Sequence, residues 1–414
     1  MPTAQLLDVH ETPLRLSARV CDDDPVASAI LARIGPLKRN ARLMVLAILA
    51  NYKNDPDATL FYSRDRNFYA SSATRRYYPF YYTYSAVLSA VAALAQVEFV
   101  DDIRTPPSPR ATKRSRLRAG APLKALLTRF PQPAVTYVEN EPIVLRRAGA
   151  RKTLIDYVET DQTRGMRADV QAHNAFLSDV HVCLDDGQEV VTVEGRRYDL
   201  SFKLFHRVFN GDFEHGGRWY GPTWQNLPKT LRPRLAIDGA ATCEIDIRSC
   251  HPRLLCAGAG LALPFDDPGF DFYRLTSFDR EEVKDAVKVL LNAPNARSAR
   301  GALIQALHQR GCLDPATRAK SLSKAVRAAW PQLAPYWGSG IGVRLQRIDA
   351  DICTRVQAEL RAQGIPVLSI HDGFIVSVAQ RRSLQVAMDT AMHEACNVLR
   401  DHPIAIMRPV KTLK

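Results

Sequence analysis

Two apolar, strand-like runs that lie far apart in the chain each contain one aspartate. The first is CEIDIRSCHPRLL, which contains Asp246, and the second is VLSIHDGFIVSV, which contains Asp372. The flanking apolar residues predict buried strands, and a carboxylate in a buried strand is costly unless a cation or a hydrogen-bond donor compensates it. The pair therefore predicts a site for two divalent cations held roughly 4 Å apart by shared carboxylates. Two aspartates held in ordinary salt bridges are the alternative.

Length and composition indicate a globular protein of two or three domains with a polyanionic partner. The chain has 414 residues, of which 46% are hydrophobic, and its Lys and Arg residues exceed Asp and Glu to give a net charge of +13. Such a basic chain favours nucleic acid as its partner. The eight cysteines form no CxxC pair, so neither a zinc site nor a disulfide framework is indicated, and a reducing cytoplasm fits. The sequence predicts neither secretion nor a membrane span.

The first third of the chain predicts a winged-helix-like, nucleic-acid-binding domain over residues 1–135. Helical periodicity over residues 25–52 predicts a core helix pair, and residues 85–97 predict a further helix. A strand, a basic turn and a second strand follow, which is the element order of a winged helix. Segment 103–118 contains six basic side chains and no acidic one, so it could follow a phosphate backbone or form a solvated loop. The residues expected to contact nucleic acid are Arg110, Lys113, Arg114 and Arg116.

Several tyrosines between positions 77 and 84 lie beside two arginines. Their rings could stack on bases. Packing in the core or at an interface is the alternative, and it is the one we favour.

The element GGRWYGPTWQNLP makes a specific resemblance visible. It resembles the segment of family A DNA polymerases in which a Gly-Arg pair, here Gly217 and Arg218, precedes Gln-Asn-hydrophobic-Pro, here beginning at Gln225 and Asn226. Single-subunit, phage-type RNA polymerases share the Gly-Arg pair. The resemblance implies that Arg218, Gln225 and Asn226 contact nucleic acid, with the arginine in the minor groove of the product duplex.

The run after Asp246 is similar to motif A of that family. The resemblance implies that Asp246 bridges both metal ions and that the backbone carbonyl of Ile247 is a further ligand. Five residues past the aspartate, at the family's sugar-selecting position, stands His251. A bulky imidazole there should crowd a ribose 2′-hydroxyl and so favour deoxynucleotides. The alternative is that His251 packs structurally or donates to that hydroxyl.

A helix resembling motif B lies between the two aspartate runs. Arg280, Lys284 and Lys288 recur every four residues, so they share one helix face and could contact a triphosphate in a row. Lys284 or Lys288 could also protonate the leaving pyrophosphate. The family's Tyr-Gly is replaced by Asn292 and Ala293, and this departure puts base stacking at Asn292 in doubt. Basic residues at this spacing also occur on ordinary solvated helices.

The second aspartate run resembles motif C, a hairpin with His371 and Asp372 at its tip. The resemblance implies that Asp372 is the second bridging ligand and that His371 lies near the nucleic acid. The DNA polymerases place Glu after His-Asp, whereas this chain has Gly373, closer to the RNA polymerases. Gln346, in a predicted helix before this hairpin, matches a template-contacting and primer-contacting glutamine. An ordinary amphipathic helix is the alternative there.

Taken together, the resemblance implies an α+β right-hand polymerase with an antiparallel-sheet palm and helical fingers and thumb. Residues 136–235, including a predicted helix at 164–177, would form the thumb and palm entry, and residues 236–414 the palm and fingers. The implied cofactor is a pair of Mg²⁺ ions, with Mn²⁺ as a possible substitute. The implied partners are a DNA template, a primer and nucleoside triphosphates, for a monomeric cytoplasmic enzyme that replicates a plasmid, phage or mobile element without an exonuclease.

Two other functions remain open. Primer-independent RNA synthesis, as by an RNA polymerase or primase, is favoured by Gly373 and disfavoured by His251. A DNA-binding replication initiator or regulator with an inactive polymerase core is disfavoured because the chain keeps all of the proposed catalytic and triphosphate-binding residues, Asp246, Asp372, Arg280 and Lys284.

Overall fold

The computed structural model describes residues 11–105, 114–130, 134–149 and 152–401, which form a mixed α+β fold with mainly antiparallel sheets. The strands are β1 (Glu11–Pro13), β2 (Ala18–Val20), β3 (Thr59–Tyr62), β4 (Val100–Ile103), β5 (Ser115–Ala119), β6 (Val135–Tyr137), β7 (Ile143–Arg146), β8 (Val182–Leu184), β9 (Val190–Val193), β10 (Arg196–Asp199), β11 (His206–Asn210), β12 (Asp212–Tyr220), β13 (Leu235–Ile237), β14 (Ala240–Asp246), β15 (Leu368–Ile370) and β16 (Gly373–Ser377).

The helices are α1 (Pro25–Ile34), α2 (Arg39–Asn54), α3 (Arg66–Ala70), α4 (Ser72–Tyr77), α5 (Tyr84–Gln96), α6 (Ala121–Arg129), α7 (Asp161–Ser178), α8 (Cys250–Gly258), α9 (Arg280–Asn292), α10 (Ala296–Gln309), α11 (Pro315–Ala329), α12 (Gly342–Ala362) and α13 (Arg381–Asp401). Among the described residues, none of these helices has the length and apolar character needed to cross a bilayer.

The chain divides into two compact units. Unit 1 comprises the described residues of Met1–Val144, Thr153–Glu159 and Gln188–Leu204. Unit 2 comprises those of Leu145–Lys152, Thr160–Gly187 and Phe205–Lys414. The division into three segments at residues 135 and 235 stays a prediction.

Unit 1 contains the elements predicted from the N-terminal sequence. The helix pair of residues 25–52 is confirmed as α1 and α2, and the later helix as α5. The sheet has the order β1-β3-β5-β4, and β4 pairs with β5 in antiparallel register as a hairpin. The helix and the two strands of the predicted order are therefore present. Residues 106–113 of the predicted basic turn, which include Arg110 and Lys113, lie outside the described residues.

Three of the tyrosines between positions 77 and 84 are buried within unit 1. Tyr77, Tyr81 and Tyr82 are buried, and the rings of Tyr69 and Tyr82 lie 5.1 Å apart. Buried aromatic rings in mutual contact stabilise a core and present no free face to a base. Core packing, the interpretation favoured from the sequence, is confirmed for these rings.

Unit 2 is built on a five-stranded sheet with the order β15-β16-β14-β13-β8. All its neighbouring strands pair in antiparallel register. The helix predicted at residues 164–177 is confirmed as α7. Helices α8, α12 and α13 pack with one another through apolar faces, and α13 also contacts β16.

The two aspartate runs differ in burial. The first four residues of β16 are buried as predicted, but no residue of β14 is fully buried and Asp246 is exposed. The prediction of a buried strand is therefore wrong for β14. The apolar residues of that run owe their burial to the following turn and helix, where Ile247, Leu254 and Leu255 enter the core.

One close backbone approach in unit 1 yields a stability prediction. A Cβ atom at Gly120 would lie 2.1 Å from the backbone carbonyl oxygen of Glu98, so Gly120→Ala forces the β4 and β5 segments apart. We expect a loss of about 1–3 kcal/mol in the free energy of unfolding, typical of overpacking, measured by urea denaturation. Gly301→Ala, in open space within α10, is the matched control and should stabilise slightly. Equal effects of both variants would contradict the prediction.

Candidate active site

The pairing of β14 with β16 brings the two predicted metal-binding aspartates together. Asp246 pairs with Gly373, which directly follows Asp372, and the N–H of Ile247 donates to the carbonyl oxygen of Asp372 at 2.9 Å. Paired Cα atoms in an antiparallel sheet lie about 5 Å apart and successive Cα atoms about 3.8 Å apart. The Cα atoms of the two aspartates therefore lie within about 9 Å of each other, close enough for their side chains to converge.

A tight hairpin holds Asp372 in place. The last residue of β15 pairs with the first residue of β16, which leaves His371 and Asp372 as a two-residue turn. His371 has a φ of 61°, the left-handed value required at the first central position of a type II′ turn. The ring centres of Tyr220 and His371 lie 5.2 Å apart, so the two rings are in contact. A non-glycine residue in this conformation is strained, and such strain concentrates at functional sites.

Gly373 leaves room for the Asp246 carboxylate. A Cβ atom at this position would lie 2.3 Å from Oδ1 of Asp246, well inside van der Waals contact. Any larger side chain at position 373 would therefore displace this carboxylate. Glycine at this position thus has a steric reason within this chain.

The two carboxylates repel each other. Although Asp246 reaches solvent at the end of β14, its neighbours desolvate it in part, and this raises its pKa above the ordinary value. The negative charge of Asp372 raises this pKa further. The positive charges of Arg232, Lys229 and Lys284 act to lower it. A bound cation would relieve this repulsion. Asp246, Asp372 and the carbonyl of Ile247 offer oxygen ligands of the kind that Mg²⁺ prefers, so the residues fit the implied metal.

The chemistry of Mg²⁺ allows substrate and water to complete its ligand set. No group of three or more His, Cys, Asp or Glu side chains that could hold a metal occurs within the described residues. Mg²⁺ commonly keeps several waters and binds through one or two carboxylates plus substrate phosphates. A pair of carboxylates is therefore sufficient for this kind of site.

Helix α9 carries the predicted basic row on its exposed face. Arg280, Lys284, Lys288 and Asn292 are all exposed, while Val283, Val287 and Leu290 are buried on the opposite face. The prediction that the basic side chains share one face is confirmed. Arg280 is held by Asp271 at 2.6 Å. The amide of Asn292 donates to the backbone oxygen of Lys288 at 2.8 Å, as a helix-end contact.

A buried ionic cluster lies beside the carboxylate pair. Asp349 of α12, whose side chain is only 2% exposed, accepts hydrogen bonds from Nε of Arg218 at 3.1 Å and Nη2 at 2.5 Å. Its Oδ2 also lies 2.6 Å from Nε2 of His251. Because an ionised carboxylate only accepts, Nε2 carries the proton of this contact. Asp349 therefore fixes both Arg218 and His251.

Electrostatics connect this cluster to the carboxylate pair. Burial opposes the ionisation of Asp349, but the hydrogen bond from His251 and the charge of Arg218 lower its pKa below the ordinary value. Burial acts to lower the pKa of Arg218, but the charge and hydrogen bonds of Asp349, and to a smaller extent the charge of Asp372, raise it above its ordinary value. The pKa of His371 is lowered, first by burial and then by Arg218. These groups form one charged site.

Sequence reasoning missed Asp349. The signal was present, because Asp349 occupies the same helix face as Leu345, Ile352 and Val356, all of which are buried. A carboxylate on the apolar face of an amphipathic helix requires a buried partner. That requirement could have identified Asp349 before the structure was known.

Three further side chains predicted to contact nucleic acid differ in their exposure and in their hydrogen bonds. The side chain of Gln225 donates to the carbonyls of Trp219 and Ser369, both at 3.1 Å, and accepts from the N–H of Gly221. This amide is therefore occupied within the protein. Asn226 is exposed and Gln346 is half-buried on α12. Their contact with nucleic acid stays a prediction.

Two of the predicted wing residues are described, and both belong to unit 1. Arg114 is exposed, and its guanidinium carbon lies 5.4 Å from the ring centre of Phe61. Arg116 lies opposite Phe61 in the β3–β5 register. Their contact with a phosphate backbone stays a prediction as well.

Comparison with known proteins adds no assignment. The chain matches no protein-family model, and no curated protein matches it with significant similarity. Any function for this site is therefore argued from its own residues.

Gly373→Ala tests whether the glycine preserves the carboxylate pair. The added methyl group forces the Asp246 side chain to rotate, because the methyl carbon would otherwise lie 2.3 Å from Oδ1 of that residue. We expect Mn²⁺ affinity, measured by electron paramagnetic resonance, to fall at least about tenfold, with nearly unchanged unfolding. Asp246→Asn is the comparison for complete loss. Unaltered Mn²⁺ affinity in Gly373→Ala would refute this view.

Asp349→Asn tests the buried cluster. It leaves the guanidinium of Arg218 without its counter-ion, so the free energy of unfolding should fall by about 3–5 kcal/mol. Because the folded-state pKa of Asp349 is lowered, its contribution is present at neutral pH and lost as the pH falls below roughly 4. The difference between wild type and variant in urea denaturation should therefore shrink on acidification. Asp389→Asn, an exposed site on α13, is the control.

Proposed function

We propose that this protein is a template-directed nucleotidyltransferase, most simply a DNA polymerase that extends a primer. The observation that carries the proposal is the β14–β16 register, which sets Asp246 beside Asp372 at adjoining strand ends. Lys284 is close enough for its charge to oppose the raised pKa of Asp246. Two carboxylates near a row of basic side chains are appropriate for binding a nucleoside triphosphate. Its phosphates are neutralised both by metal ions, which the carboxylates can hold, and by basic side chains.

Each residue has a proposed task in this reaction. When bound, a pair of Mg²⁺ ions supplies activation of the primer hydroxyl and stabilisation of the leaving pyrophosphate. Asp246 and Asp372, with the carbonyl of Ile247, would hold those ions. Lys284 and Lys288 would bind the triphosphate, and a lysine at this row could protonate the departing pyrophosphate.

The remaining contacts would position the nucleic acid and the sugar. Arg218, fixed by Asp349, would lie along the product duplex, and His251 would face the sugar of the incoming nucleotide. In this proposal unit 2 supplies the palm and fingers of a right-hand polymerase. Unit 1 supplies a winged-helix-like module that contacts DNA through Arg114, Arg116 and the basic turn between β4 and β5. A cytoplasmic, monomeric replication protein of a mobile element is the proposed context.

A primed-template assay tests the proposal. We expect purified protein to extend a labelled primer with deoxynucleotides in Mg²⁺ or Mn²⁺ and not in EDTA. Asp372→Asn should reduce the rate by roughly 10²–10³-fold or more, because it removes charge stabilisation at the reacting phosphorus. Its DNA binding should persist, since the substitution removes negative charge.

Asp389→Asn makes the same chemical change on an exposed part of α13 and should extend primers like the wild type. Full extension by Asp372→Asn, or loss of extension in Asp389→Asn alone, would rule out the proposed role. A wild type that binds DNA but never adds a nucleotide would instead favour a binding protein with an inactive core.

A second candidate, synthesis of RNA without a primer, is favoured by two observations. Gly373 has only a hydrogen atom where the DNA polymerases carry the side chain of Glu. In addition, Nε2 of His251 is hydrogen-bonded to Oδ2 of Asp349 at 2.6 Å, which restricts how the imidazole ring can contact a sugar. The same assay, run with ribonucleotides and without primer, decides between the candidates. Products that begin with a ribonucleoside triphosphate would establish the second.

A further inference from the structure

The helical hairpin α10–α11 has an unusual distribution of charge. Residues 296–329 contain seven Arg and Lys side chains and a single acidic residue, Asp314. The carboxylate of Asp314 accepts from the N–H of Thr317 and so caps the start of α11. Its charge is therefore committed to a helix N-terminus. The hairpin thus has far more positive charge than its own residues neutralise.

Two of the arginines attach the hairpin to α9. Arg310 forms an ion pair with Asp285 at 2.6 Å, and Arg318 forms one with Glu282 at 2.6 Å. Apolar residues of both helices, among them Leu303 and Leu322, complete the packing as buried side chains. The orientation of the hairpin on α9 is therefore fixed by contacts that use one part of its positive charge.

Four other basic side chains of the hairpin, which the structure describes in full, form no ion pair with α9. Arg297, Arg300, Lys320 and Lys324 are exposed, and within the described part of the chain none of them takes part in an ion pair or side-chain hydrogen bond. Spacings of three and four residues put each pair on one face of its helix. Lys320 and Lys324 are about 6 Å apart along the axis, so each long side chain can reach a separate phosphate.

We propose that the exposed basic face of α10–α11 binds the phosphate backbone of the template strand. The inference deepens the proposed function and rests on it. A regular polyanion complements four exposed cations that form no ion pair within the described residues, because each phosphate that they neutralise releases condensed counter-ions. Since the hairpin is fixed on α9, which carries Lys284 and Lys288, a strand bound there would be held in a constant relation to the triphosphate row.

Oligonucleotide binding by paired variants tests the surface. Arg300→Gln with Lys324→Gln removes two cations from the hairpin. The control variant, Arg381→Gln with Arg382→Gln, removes two exposed cations from the start of α13. These residues follow β16 at the end of that strand that lies away from Asp372. The readout is fluorescence anisotropy of a labelled single-stranded oligonucleotide over a series of salt concentrations. Urea denaturation of each variant checks that the fold is intact.

We expect the hairpin variant to bind about tenfold more weakly and its salt slope to decrease by about 1.4, or 0.7 for each lost phosphate contact. The α13 variant should match the wild type within about twofold. Equal losses in both variants would show a general effect of net charge and overturn the proposal. Unchanged oligonucleotide binding with lost binding to phosphatidylserine vesicles would indicate a membrane surface and overturn it as well.

Primer extension separates this inference from the proposed function. At saturating template, the hairpin variant should add nucleotides at the wild-type rate, whereas Asp372→Asn should bind the oligonucleotide normally and add nucleotides at least about 10²-fold more slowly. If the wild type adds no nucleotide but the hairpin variant still loses binding, the surface assignment holds and the proposed reaction fails. If extension occurs and the hairpin variant binds like the α13 variant, the reaction holds and the surface assignment fails.

Discussion

The antiparallel pairing of β14 with β16 is the interaction on which the candidate site depends. Its backbone hydrogen bonds set Asp246 opposite Gly373, and the Ile247 N–H continues the ladder to the carbonyl of Asp372. Two like charges are thereby held together by backbone geometry and not by their own attraction. The folded chain thus stabilises an arrangement that is electrostatically unfavourable without a cation, as expected of a site selected for binding.

The carboxylate of Asp349 connects three elements of unit 2. It joins β12 through Arg218, α8 through His251 and its own helix α12. These three elements meet at one carboxylate, so the cluster couples their positions. Burying such a group costs free energy that a hydrophobic residue would not. The directional contacts orient Arg218 and His251 in return, which an apolar residue could not do.

Much of this arrangement could be predicted from sequence because periodicity and spacing are local. The helix pair of α1 and α2, the helix α7 and the exposed row on α9 each follow from residues within one segment. The exposure of β14 could not be predicted, because the apolar residues of that run that enter the core belong to the following turn and to α8. The contact between Asp349 and His251 joins residues remote in sequence, and only the packing of α12 beside α8 reveals it. No local pattern specifies such a distance.

The two-residue turn at His371 and Asp372 has a consequence for how the chain can vary. Successive side chains along a strand point to opposite faces, so a residue inserted between Asp372 and Gly373 would direct the carboxylate away from its neighbour. Length changes in this hairpin should therefore be absent from natural variants that keep the site. A residue added beyond the opposite end of β16, in the short 3₁₀ segment at Val378–Gln380, would lie outside the β14–β16 register and leave the two carboxylates in place.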